Sequence, residues 1–152
     1  MRKFISLAVV ALLASSMSAQ TIANMKDLNA EKKSAAINLK LTGTLTTTKN
    51  SDFRQLRDLC WQLRNLDLSE ATCPVLPKNA FHSRHHLQHI ILPNQLQEIG
   101  TQAFFACDNL QEVVIPKSVK KVGAAAFSGC KSLKNIRIEG TPEIGEVSYA
   151  NL

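Results

Sequence analysis

Four histidines fall within eight residues, His82, His85, His86 and His89, and imidazole is the commonest metal ligand. Their spacing suits a metal poorly. His85 and His86 are adjacent in a turn, and His89 opens an extended segment facing away from His82. No carboxylate or cysteine in that stretch completes a ligand set, so it reads as an exposed, mildly pH-sensitive loop. Four cysteines could form two disulfides in an exported protein. Cys60, Cys107 and Cys130, however, each precede a leucine by three residues (Leu63, Leu110, Leu133) and so share one slot. That slot is predicted to hold buried thiols stacked one turn apart, with a Cys107–Cys130 bridge as the alternative. Cys73 lies outside the slot and is expected at the surface. Arg84 takes the same slot in the histidine-bearing turn. An unpaired buried guanidinium is costly, so that turn is expected to bulge outward.

Enzymatic signatures are missing. The sequence contains no G-x-S-x-G, no phosphate-cradling glycine loop and no H-E-x-x-H. Its acidic residues are scattered, and Ser83 with His85 is too local for a catalytic pair. The expectation is a protein without catalytic residues, cofactor or resident metal.

The elements that position these residues come from a 23-residue period. Ala80-Phe81, Ala103-Phe104 and Ala126-Phe127 recur at that spacing, as do Leu87/Leu110/Leu133, Ile90/Val113/Ile136 and Leu92/Ile115/Ile138. Repetition at this length means one supersecondary unit stacked on its copies. Leu63-x-x-Leu66-x-Leu68 extends the series 24 residues upstream, and Ile37-x-Leu39-x-Leu41 alternates earlier still. Alternation marks a strand with one buried face, which places five parallel rungs near 37–41, 65–68, 89–92, 112–115 and 135–138. Pro93 and Pro116 end their strands. Gly100 and Gly123 follow aliphatic residues, where glycine's conformational freedom is expected to make the turn. The phenylalanine column is predicted core.

The fold class expected is therefore an α/β repeat solenoid. It has a curved parallel sheet of about five rungs, with short helical or irregular turns on its other face. Residues 21–62 form an N-terminal capping region with the first strand and a short helix. Ile22, Met25 and Leu28 stand at helical spacing there. Ser51 or Asp52 caps the helix, with Phe53, Leu56, Leu59 and Cys60 on its inner face. Residues 63–152 carry the repeats and end in a degenerate half-turn, Ile144-Gly145-x-x-Ser148-Tyr149.

Residues 1–20 read as a signal peptide: Arg2 and Lys3, an apolar run from Phe4 to Leu13, then small residues with cleavage near Ala19-Gln20. A run of ten is too short to span a bilayer, which takes about 20 residues. Without Arg2 and Lys3, the 18 basic residues become 16 against 12 acidic, a net +4. Export to the periplasm, cell surface or medium is expected, with no transmembrane segment in the mature chain. The one basic cluster, Lys117, Lys120 and Lys121, has no interleaved aromatic, so no nucleic-acid partner is expected.

The segment Ile99 to Pro116 resembles the repeat of the BspA-like leucine-rich repeat family. Val122 to Ile138 is a second near-complete copy and Ala80 to Pro93 a third that lacks the cysteine. The resemblance covers about residues 60–145. It implies a bacterial exported or surface protein, a curved parallel-sheet solenoid, protein–protein or host-matrix binding, and no catalytic residues.

Strand period two puts the neighbours of the buried residues on the open sheet face. These are Asn65, Asp67, His89, Ile91, Glu112, Val114, Asn135 and Arg137, whose chemistry changes from rung to rung while the core slots stay fixed. They form the candidate protein-binding face, the bland alternative being a merely solvated sheet. A rival role is structural. The exposed final strand, 135–138, would then pair with another copy or a larger envelope protein.

Overall fold

The computed structural model describes residues 21–146, apart from 30, 32, 34, 35, 49 and 50. The signal-peptide expectation and Ser148-Tyr149 lie outside the described residues.

Each turn of the chain contributes one strand to a parallel six-strand sheet. Its members are β1 (Thr21–Ala23), β2 (Asn38–Thr44), β3 (Asn65–Thr72), β5 (His89–Ile91), β7 (Glu112–Ile115) and β9 (Asn135–Ile138). They pair in chain order. The five expected rungs are β2, β3, β5, β7 and β9. The sixth strand is β1, which pairs Thr21 with Leu39 and Ala23 with Leu41. Ile22 therefore sits in a strand, and only Met25–Asp27 turns as a short 3-10 segment. Open backbone groups on β2 reward an extended partner more than local helical spacing rewards a helix.

The other side of the stack departs from expectation. The aliphatic residues before Gly100, Gly123 and Gly145 lie not in turns but in two-residue strands, β6 (Glu98–Ile99), β8 (Lys121–Val122) and β10 (Glu143–Ile144), and β4 (Val75–Leu76), followed by Pro77, is a fourth. They form a second parallel sheet in the order β10-β8-β6-β4. Glycine serves there by close approach. A Cβ on Gly123 would lie 2.7 Å from the carbonyl carbon of Gly100, and one on Gly100 2.6 Å from the carbonyl oxygen of Leu76.

The left-handed conformations fall elsewhere, at Asn79, Gln102 and Ala125 (φ 53–60°) and at Ser83, Ala106 and Gly129 (φ 55–77°). Each pair brackets an Ala-Phe. The backbone then bonds from turn to turn: Phe81 N–H donates to Ala103 O at 2.7 Å and Phe104 N–H to Ala126 O at 2.8 Å.

Between the sheets runs one continuous core of Leu, Ile, Val, Phe and Cys side chains. Phe81, Phe104 and Phe127 stack in it with centroids 5.3 and 5.1 Å apart. Phe53 extends the column, meeting Phe81 edge-on at 5.8 Å. It comes from an α-helix that occupies the equivalent turn, α1 (Asp52–Leu59), which Ser51 caps by accepting from Arg54 N–H at 3.2 Å. Phe53, Leu56 and Cys60 point inward, but Leu59 is 41% exposed. At about 100° per residue it falls off the edge of that stripe. Ile37, one residue before β2, is likewise exposed while Leu39 and Leu41 are buried.

Candidate functional site

Pairing register arranges the open face of the six-strand sheet in two columns. Asn38 lies beside Asn65, Asn65 beside His89, His89 beside Glu112 and Glu112 beside Asn135. Two residues along, Lys40 lies beside Asp67, Asp67 beside Ile91, and Val114 beside Arg137. The His89–Glu112 register, carried two residues on, sets Ile91 against Val114. All eight face residues thus share one surface. β2 adds Asn38 and Lys40, which the sequence reading left out. The signal lies in the alternation of Leu39 and Leu41, whose buried side chains put Asn38 and Lys40 on the opposite face.

The middle of the second column is aliphatic and its ends are charged. At one end Lys40 Nζ contacts Glu70 Oε1 at 2.6 Å and Asp67 Oδ2 at 3.8 Å. The Glu70 hydrogen bond holds the Lys40 ammonium above its ordinary pKa, against desolvation. At the other end Arg137 pairs with Glu139 at 3.2 Å. Burial lowers the pKa of His89 from its usual 6.5, opposed by the Glu112 carboxylate on the next strand. At neutral pH that position presents an uncharged donor and acceptor.

The histidine turn does not bulge. Phe81 and Leu87 are as buried as their equivalents, and its backbone bonds match those of the next turn: Leu87 N–H to Arg84 O at 3.1 Å, Leu110 N–H to Cys107 O at 3.0 Å. The arginine is accommodated through a carbonyl. Cys107 Sγ donates to Phe81 O and Cys130 Sγ to Phe104 O, each at 3.0 Å. Arg84 Nη1 donates to Arg57 O, the carbonyl in the corresponding place. A long side chain thereby replaces a thiol as the donor without displacing the turn.

All four cysteines are free and buried. Cys73 is buried too, contrary to expectation, because the second sheet begins directly after it and its thiol donates to Val75 O at 3.1 Å. Burial pushes Cys60 and Cys73 up to about 11. Hydrogen bonding to Cys130, with burial, pushes Cys107 up as well. Cys60, Cys73 and Cys107 thus stay protonated, which makes them poor nucleophiles and poor metal ligands.

The histidines disperse. His82 stacks on Phe105 at 5.1 Å, and His85 Nδ1 meets Asp108 Oδ2 at 2.9 Å. Asp108 is the carboxylate absent from the local stretch, delivered from one period later, and it also pairs with Lys131 at 3.4 Å. Among the described residues no group of three or more His, Cys, Asp or Glu converges as a metal site. Trp61, 54% exposed, occupies the same slot one turn before His85. Reading down that slot (Trp61, His85, Asp108, Lys131) would have found the contacts.

A family model, the BspA type leucine rich repeat region, matches residues 53–152 in six copies. The chain belongs to the BspA-type leucine-rich repeat family. Solved structures agree on the fold. A leucine-rich repeat protein from Bacteroides ovatus is 20% identical, with a TM-score of 0.58 over 88% of this chain and 35% of its own. The leucine-rich repeat protein of T. pallidum is also 20% identical, with a TM-score of 0.56 over 83% of this chain and 66% of its own. This BspA-type chain thus spans about a third of the first protein's length. No curated protein matches it in sequence. BspA-type repeats are generally protein-interaction modules, and here the fixed slots build the stack while the open face carries what varies. No helix among the described residues is long and apolar enough to cross a membrane.

Proposed function

We propose that this protein is an exported binding module that holds a protein partner, at the cell surface or from a host matrix, against the open face of its six-strand sheet. The observation that carries the reading is the pair of columns on that face. An Ile91–Val114 centre is flanked by ion pairs at Lys40–Asp67 and Arg137–Glu139, with Asn65, His89, Glu112 and Asn135 alongside as hydrogen-bonding groups. An apolar centre with a polar rim is the usual makeup of a contact patch. The two columns cross the five strands β2, β3, β5, β7 and β9, about 19 Å at about 4.8 Å per strand spacing. Export is supported by the tripartite first twenty residues and by the family's usual surface location.

The test is direct. The purified protein is screened against matrix proteins and envelope extracts, and the partner found is titrated against Ile91→Glu/Val114→Glu and against Trp61→Ala. The face variant is expected to weaken binding by about tenfold or more, with Trp61→Ala near wild type. Unchanged affinity in the face variant would overturn the reading. Export is checked by N-terminal sequencing of the secreted product, which should begin at Gln20.

A further inference from the structure

The last described turn leaves its core unfinished. Ile99, Ile115 and Val122 are fully buried in the interior turns, whereas their successors Ile138 and Ile144 are 40% and 42% exposed. β9 ends the six-strand sheet among the described residues. Glu139 N–H donates to Ile115 O at 3.0 Å, so the odd-numbered residues here turn their backbone toward β7. Alternation then turns the N–H and C=O of Ile136 and Ile138 to the outer edge. An outer strand edge over an apolar end is a template for another strand.

Charge selects which strand. On the open face Arg137 and Glu139 flank Ile138, one cation and one anion, 3.2 Å apart within the chain. A segment whose charge reverses about an apolar centre is complementary to itself run backwards. We propose that β9 pairs antiparallel with β9 of a second copy, about a two-fold axis through Ile138. Ile138 N–H then donates to Ile138 O of the second copy, and the reverse bond forms by symmetry. Arg137 lies opposite Glu139 of the second copy in the closely spaced, non-hydrogen-bonded position, where side chains interact most. The two exposed Ile138 side chains close against each other.

Neighbouring registers that keep the faces aligned are worse. An axis at Arg137 sets arginine against arginine. An axis at Ile136 sets Arg137 against Asn135 and leaves Glu139 unmatched. The contact is isologous, so it closes at two copies and does not extend into a fibre.

Light scattering after size exclusion of the purified protein tests this. A dimer of twice the chain mass is expected. Arg137→Glu and Glu139→Arg should each weaken it by about tenfold or more, by opposing like charges, while the double charge swap restores it. Circular dichroism melts show that each variant is folded. A monomeric wild type, an open-ended polymer, or a dimer indifferent to the single reversals would each overturn the proposal. The pairing stands apart from the open-face reading, because Ile91→Glu/Val114→Glu should lose the partner and keep the dimer.

Discussion

At the residue scale, Arg84 is the clearest departure from the repeat. It donates to Arg57 O as the slot's thiols donate to the equivalent carbonyls, but it carries a charge into a half-buried place. Desolvation lowers its pKa, and its Nε has no partner among the described residues. Arg84→Cys should therefore stabilise the protein by about 1 kcal/mol, read as a higher urea midpoint. His89 makes a separate prediction. Burial holds its folded pKa below the ordinary 6.5, so as pH falls the unfolded chain takes up the proton first. Stability from this residue is present above pH 6.5 and is lost as pH falls from there through the folded pKa. Urea midpoints at pH 7.5 and 5 should fall further for wild type than for His89→Gln. Equal falls would show that His89 is solvated like a free imidazole.

At the element scale, two kinds of glycine should respond differently. Gly123 lies where two rungs approach closely, and a Cβ there would meet the backbone of Gly100 and Thr101. Backbone cannot rotate aside as a side chain can, so Gly123→Ala should destabilise by about 1–3 kcal/mol. Gly129 has a positive φ of 77° but ordinary space, the nearest atoms to a Cβ being 3.5 Å away. Ser83 and Ala106 already hold the same conformation in the turns before it. Gly129→Ala should therefore cost only about 1 kcal/mol. Chemical denaturation of the two variants side by side checks the order; a larger loss at Gly129 would mean that conformation, not space, limits the turn. The same contrast explains why glycine misled the sequence reading. Gly100 and Gly123 follow two-residue strands of the second sheet, while five of the left-handed positions carry Asn, Ser, Gln or Ala and only Gly43 and Gly129 are glycine.

At the scale of the whole molecule, stability passes along a one-dimensional stack. Each turn touches mainly its neighbours, and the column Phe53, Phe81, Phe104 and Phe127 runs through the described length of the core. Phe104 is fully buried between two rings. Phe104→Ala should cost about 3–5 kcal/mol and uncouple the turns on either side, so that fluorescence of Trp61 and far-UV circular dichroism no longer melt together. Coincident transitions near the wild-type temperature would refute that coupling. The sequence by itself determined the rungs β2, β3, β5, β7 and β9 and the buried phenylalanine and cysteine slots. Each follows from a period of two within a strand and about 23 between strands, which the chain carries in every copy. Only the tertiary structure decided that β1 is a strand, that a second sheet closes the back and buries Cys73, and that Arg84 fits without a bulge. It also brought Asp108 to His85. Those outcomes depend on which backbone groups and side chains meet across turns, and a local pattern of residue types does not contain that information.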